Sequence, residues 1–276
     1  LRHNIKGAFI AKSFAEVEPA SYTHNWHIDL LSEYLRAVQS KDLKRVIFNV
    51  PPGYTKSVSI NIAFSAWCLG KNPKERIIST SHTHDLSLKL SNKVKRIIQA
   101  PWYNKIFPGT QLITDVENRQ DFFRTTQDGF RMASAVGKGI TGEGGDLIII
   151  DDPIDAKDAA AASGKALQDC NDWYDGVLYS RLRDKREGRI VLIMQRLHED
   201  DVSGVILEKG LAYVHLMIPM VYDYERQTDE NFDPLMTPIG WYDPRYEEYD
   251  PNHPTDILAW PERFPPRVWE SMKLDI

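Results

Sequence analysis

The sequence predicts a three-layer α/β fold with a mainly parallel central sheet, and three observations predict it. Short runs that are apolar at every position, such as Leu147-Ile148-Ile149-Ile150 and Ile190-Val191-Leu192-Ile193-Met194, suit strands buried on both faces. Segments of helical texture alternate with these runs, the order that builds a sheet covered by helices. From position 221 the texture changes: half of the 16 prolines and 13 acidic against 5 basic residues lie there, with no strong period.

In chain order, a helix is read over 27–39 and a strand over 46–50, followed by a helix over 57–69. A strand over 77–80 leads to a helix over 85–99, and the strand 147–150 to a helix over 156–174. The strand 190–194 precedes a helix over 200–208, and 213–218 is a fifth strand candidate. Residues 1–220 thus read as one core, and 221–276 as an acidic, proline-rich wrap or linker without a second core.

The chain has 276 residues, 42% hydrophobic and 26% charged, which argues against wholesale disorder. Its apolar runs are strand-sized, so no membrane helix is expected. It opens Leu1-Arg2-His3-Asn4 without an initiator Met or a signal-peptide core, as an excised fragment would. Cys68 and Cys170 lie in helix-like contexts without metal-ligand spacing, which suits a reducing compartment and excludes a disulfide scaffold. The net charge of −5 is unevenly spread: residues 1–110 hold 16 Lys/Arg against 7 Asp/Glu, and 111–276 hold 18 against 32. The basic part could face the phosphates of a nucleotide or a nucleic acid; the alternative is that Lys89, Lys93, Lys95 and Arg96 form a solvated helix face.

The strand 46–50 runs into Pro51-Pro52-Gly53-Tyr54-Thr55-Lys56-Ser57 and then a helical pattern. That is the context of a phosphate-binding loop, with backbone N–H groups facing an anion, a Lys for the terminal phosphates and a hydroxyl for Mg²⁺. Against G-x-x-x-x-G-K-[ST], Val50 and Thr55 stand in place of the glycines and only Lys56-Ser57 is literal. The competing reading is an ordinary strand-to-helix turn. The strand 147–150 ends in Asp151-Asp152, carboxylates at the end where ligands bind in open α/β sheets. The first could hold the Mg²⁺ of a nucleotide and the second orient or deprotonate the attacking water; alternatively Asp152 caps the next helix. Together the two motifs make a P-loop ATPase the better account. After the strand 190–194, Gln195 opens Gln195-Arg196-Leu197-His198-Glu199-Asp200-Asp201 and could report a γ-phosphate, with Asp200 or Asp201 capping a helix.

Gly137-Lys138-Gly139-Ile140-Thr141-Gly142 satisfies G-x-G-x-x-G but precedes a strand instead of opening a helix, so it reads as a flexible turn and not as a dinucleotide fingerprint. His82-Thr83-His84 lacks a third ligand for structural zinc. Trp241, Tyr242, Tyr246 and Tyr249 are read as packing the tail onto the core, not as stacking on bases.

In this order the motifs resemble the large terminase subunit of tailed bacteriophages, the motor that packages double-stranded DNA. The resemblance rests on Trp26-His27, the 49–57 loop, Ser79-Thr80-Ser81-His82-Thr83-His84-Asp85-Leu86-Ser87, Gly139 to Asp146, Ile150-Asp151-Asp152-Pro153, the 195–201 segment and Trp260-Pro261-Glu262-Arg263-Phe264. It implies a P-loop NTPase of the additional-strand class using ATP and Mg²⁺. The loop residues Pro52, Gly53, Tyr54 and Thr55 would cradle the nucleotide, Lys56 would grip the β/γ-phosphates, and Ser57 and Asp151 would hold Mg²⁺. Asp152 would be the catalytic carboxylate, Gln195 the coupling residue, and Trp26 and His27 would lie near the adenine.

Two departures stand out against the family pattern. Asp152 replaces a frequent Glu, and Glu143 replaces a frequent Arg that completes a neighbour's site, leaving Arg131, Arg124 or Lys138 as candidate trans-acting cations. The resemblance further implies viral double-stranded DNA, a portal protein and a small terminase subunit as partners. It implies self-association into a ring on the procapsid, compatible with a monomer in isolation, and location in the host bacterial cytoplasm, transiently at the portal. Few residues follow Phe264, so the family's nuclease is not expected from this chain. A helicase-like or repair DNA-dependent ATPase, or a catalytically weak nucleotide-binding scaffold, remain the alternatives.

Overall fold

A computed structural model of the chain describes residues 7–114, 118–140, 142–161 and 163–274. Leu1-Arg2-His3-Asn4 and Thr141 of the glycine-rich turn lie outside the described residues. The strands are β1 (Arg45–Asn49), β2 (Arg76–Ser81), β3 (Phe122–Arg124), β4 (Phe130–Ala135), β5 (Leu147–Asp151), β6 (Arg189–Met194) and β7 (Val214–Met217). They form one sheet in the order β3-β4-β2-β5-β6-β1-β7. Every pairing is parallel except β3 with β4.

The apolar runs form buried strands because each sends alternate side chains to opposite faces of the sheet. Val46 and Phe48 of β1, Leu147 and Ile149 of β5, and Val191 and Ile193 of β6 join a core cluster on one face. There they meet α1 (Gly7–Val17), α2 (Trp26–Ser40), α3 (Phe64–Lys71), α4 (His84–Gln99) and α5 (Pro101–Ile106). Ile47, Ile148, Ile150, Ile190 and Leu192 point to the second cluster, with α6 (Ala156–Ala159), α7 (Lys165–Trp173) and α8 (Val202–Glu208). The three-layer expectation is met.

Four features differ from the sequence expectation. The helix read over 57–69 begins as π-helical turns, Ser57–Ala63, before continuing as α3; such turns are rare and often accompany functional sites. The helix read over 156–174 breaks, because Gly164 takes a left-handed φ of +59° and starts α7 afresh. Strands β3 and β4 went unread, since Arg131 interrupts the apolar run of Phe130–Ala135 and Phe122–Arg124 is only three residues long. Helices α1 and α5 also went unread.

Beyond position 220 the chain carries short elements, Tyr224–Gln227, Pro244–Glu248 and Pro266–Leu274. Ala259 and Trp260 enter the first core cluster, and Trp241 packs against it. Tyr249 stacks on Tyr224 at 4.7 Å. No helix among the described residues is long and apolar enough to cross a membrane.

Candidate nucleotide site

Parallel pairing brings the motifs to one level. Asn49 at the end of β1 is opposite Met194 of β6, and Asp151 of β5 is opposite Ile193, so the segments following these three strands emerge side by side. Strand β6 is the one inserted between the loop strand β1 and the acid strand β5, which is the additional-strand arrangement. Val50 N–H donates to Met194 O and Asp152 N–H to Ile193 O, extending both pairings into the loops.

The loop after β1 turns through two left-handed residues, Gly53 at φ +81° and Thr55 at φ +58°. Thr55 is where G-x-x-x-x-G-K-[ST] has its second glycine. The backbone therefore keeps the glycine conformation with a β-branched residue, at a cost of about 1–2 kcal/mol. Asp152 is also left-handed, at φ +45°, and its carbonyl accepts from the His82 backbone N–H at 3.1 Å. Strain of this kind persists where the surroundings over-determine it, commonly at functional sites. The cap of α6 is Asp155, not Asp152: its side chain accepts from Asp158 N–H.

Lys56 Nζ lies 2.9 Å from Asp152 Oδ2, and Ser57 Oγ donates to Asp151 Oδ1 at 3.0 Å. Asp151 also accepts from Asn61 Nδ2 at 3.0 Å, and Asn61 Oδ1 in turn accepts from Ser79 Oγ and Arg131 Nη2. Burial and then the neighbouring Asp152 push the Asp151 carboxyl up, while Asn61, Lys56 and Ser57 pull it back. Lys56 pairs with Asp152, and the buried Arg131 guanidinium faces Asp151 across Asn61, so the two adjacent acids are matched by two cations. Asp151 and Ser57 supply hard oxygen atoms, the donor chemistry Mg²⁺ takes, so the residues present fit that ion.

Pro52, Gly53, Thr55, Lys56, Ser57, Asp152 and Gln195 all line one cleft of about 400 Å³. Arg263 from the tail lines it too, a contact the motif reading did not assign. Larger hollows exist, such as the one lined by Glu75, Asp146 and Arg183, but that lies beside the opposite, amino-terminal strand ends. Chemistry, not volume, selects the cleft at the loop.

Asp151, 1% exposed, does not line the cleft, and three further predicted residues sit behind the loop and do not line it either. His27 is fully buried, its Nε2 3.3 Å from Tyr54 O, and burial pulls its pKa down to about 4, so the neutral ring donates. The Tyr54 ring is buried between Trp260 and Phe264. Trp26 begins α2 beneath the Arg245 guanidinium, 5.7 Å from its ring centre.

Of the candidate trans-acting cations, Arg131 needs correction. It is 0% exposed and aimed at Asn61, so it presents nothing to a second subunit. Burial lowers its pKa to about 9 with Asp151 opposing, which still leaves it a cation at neutral pH. Lys138 is exposed in the turn after β4, whereas Arg124 is half-buried, 3.8 Å from Glu143. The basic face of α4 is largely paired, Lys93 with Glu18 and Arg96 with Glu16. Asp201 caps α8 by accepting from Gly204 N–H, and also holds Arg196 at 3.0 Å. Thr83 caps α4, and among the described residues no group of three His, Cys, Asp or Glu side chains could hold a metal.

No protein-family model matches the sequence, and no curated protein does. Among solved structures the chain is similar to the large terminase of bacteriophage HK97, at 12% identity and TM-score 0.44, over 78% of this chain and 45% of that one. It is similar to a hypothetical ATP-dependent RNA helicase from Sulfolobus tokodaii, at 10% identity and TM-score 0.40, over 77% and 57%. A third is the N-terminal domain of the bacteriophage phi29 DNA packaging ATPase, at 13% identity and TM-score 0.34, over 71% and 92%. The chain spans about half the length of the first two.

Proposed function

We propose that this chain is the Mg²⁺-dependent ATPase, the motor part, of a viral terminase large subunit that couples ATP hydrolysis to translocation of double-stranded DNA into a procapsid. The observation that carries the chemistry is the meeting of Lys56 with Asp152 and of Ser57 with Asp151, across an inserted strand, at a cleft beside the loop. The motor assignment rests on the order of the motifs along the chain.

The residues divide the work by their chemistry. Loop N–H groups and Lys56 would bind the β/γ-phosphates, giving Lys56 a new anion in place of Asp152. Asp152 Oδ2, released, would then accept a proton from a water on the cleft side. The Gln195 amide, both donor and acceptor, would orient that water or sense the terminal phosphate. Ser57 and Asp151 would hold Mg²⁺, which when bound neutralises charge developing on the phosphate oxygens. Viral DNA, a portal protein, a small terminase subunit and further copies in a ring are the partners this reading requires, with Lys138 as the exposed cation nearest the role of a trans-acting group. The setting would be the host cytoplasm and, transiently, the procapsid portal.

The test is ATP hydrolysis by wild type and by Lys56→Ala, with double-stranded DNA and at concentrations that favour assembly. Hydrolysis abolished in the variant supports the site, and equal rates overturn it. Strand separation of a forked duplex should be nil; unwinding would favour a helicase-like ATPase instead.

A further inference from the structure

Asn61 lies one turn beyond Ser57 on the π-helical segment, fully buried, with every polar atom of its amide engaged. Its Nδ2 donates to Asp151 Oδ2 at 3.0 Å, and its Oδ1 accepts from Ser79 Oγ at 3.0 Å and from Arg131 Nη2 at 2.9 Å. A carboxamide can be turned either way, and a hydroxyl such as that of Ser79 tolerates both orientations because it donates and accepts. An ionised carboxylate and an arginine each tolerate only one. Asp151 only accepts and so draws the amide nitrogen, while the Arg131 guanidinium only donates and holds the amide oxygen from the other side.

Arg131 comes from β4, separated from β5 by β2, and is itself 0% exposed with Nε and Nη1 unpartnered. A buried, half-satisfied guanidinium is an expensive group to retain for packing alone. We propose that Arg131, acting through Asn61, is a positioning residue for Asp151. It locks the amide so that Oδ2 of the carboxylate is occupied, and Oδ1 is left facing Ser57 and the cation that the two would share. This inference rests on the nucleotide-site reading above.

The experiment titrates a fluorescent ATP analogue into the whole chain with and without Mg²⁺, alongside thermal melting. Wild type should bind more tightly with Mg²⁺. Arg131→Gln replaces the charged donor on Asn61 Oδ1 with a shorter, neutral amide and loosens the hold on the amide from that side. Its gain from Mg²⁺ should fall by about tenfold or more, the range for removing an outer-sphere partner of a metal ligand, with Mg²⁺-free affinity within about threefold of wild type. Arg131→Lys, which only donates, should retain the gain. A folded Arg131→Gln with the wild-type gain overturns the proposal, as does an equal loss in the Gln and Lys variants, which would mark a packing role. Should Arg131→Gln not fold, the double variant Arg131→Met/Asn61→Leu removes both polar partners at similar volume. Its loss of the gain supports the proposal and its retention overturns it. Wild type that binds no analogue under either condition overturns the nucleotide reading itself and this inference with it.

Discussion

Phe264 stacks on Tyr54, with ring centroids 5.2 Å apart and planes 12° from parallel. The tail thereby rests on the loop after β1, and a Cβ added at Gly53 would meet Phe264 Cζ at 2.9 Å. Gly53 is thus constrained twice, by its φ of +81° and by the ring above it. Gly53→Ala should destabilise the fold by about 1–3 kcal/mol from left-handed strain and crowding. Phe264→Ala should cost about 1–2 kcal/mol from lost stacking and partial burial. In the double variant the crowding disappears but the strain does not, so the two effects should sum to less than the singles in urea melts. Strict additivity would show that ring and loop are not in contact.

Thr55 predicts the opposite sign. Its left-handed φ of +58° is the conformation in which glycine has no Cβ penalty. Thr55→Gly should therefore stabilise by about 0.5–1 kcal/mol, once the greater freedom of glycine in the unfolded chain is subtracted. A lower melting temperature in the variant would contradict the assignment of strain.

His27 gives the fold a pH dependence. Its folded pKa is lowered from 6.5 to about 4, first by burial, while in the unfolded chain it titrates normally. The unfolded state then binds more protons between those values, so this contribution is complete above about pH 6.5 and is lost as pH falls through 4, amounting to about 3 kcal/mol at most. His27→Gln keeps a donor for Tyr54 O and cannot titrate. Chemical denaturation from pH 7 to 4 should show a flatter stability curve for the variant than for wild type.

On the proposed nucleotide-site reading, Asp152→Asn should separate binding from hydrolysis. The amide keeps the shape of the acid but loses the ion pair with Lys56 and cannot accept a proton. Hydrolysis should fall by about 10²–10⁴-fold, the usual contribution of a positioned base, while nucleotide affinity holds or improves because Lys56 no longer has a competing anion. Parallel binding and single-turnover assays decide this; retained hydrolysis would remove Asp152 from the base role.

Much of the fold was legible because local burial writes itself into local pattern. Strands β1, β2, β5, β6 and β7 are short apolar runs, and α2, α4 and α8 begin within two residues of where their periodicity places them. Strand β4 was hidden because Arg131, its second residue, violates that pattern, and the reason it can be buried, Asn61, lies far away in the chain. Asn61 carried no motif of its own; only the four-residue spacing from Ser57 along a helix could have hinted that it shares a face with the Ser57 hydroxyl. Tyr54 and His27 were legible as members of a motif but not as parts of the loop's foundation, because that foundation is completed by Trp260 and Phe264 from the tail.

By itself, then, the sequence determined five of the seven strands found among the described residues, that Lys56-Ser57 follows one of them, and that Asp151-Asp152 ends another. These are consequences of residue order and near-neighbour periodicity. Only the tertiary structure decided that β6 lies between those two strands, that Lys56 faces Asp152 at 2.9 Å, and that Arg131 turns inward to Asn61 instead of outward to a neighbour. The physical reason is that sheet order and the compensation of buried charge join residues about a hundred positions apart. No local pattern encodes which distant partner will satisfy a buried polar group.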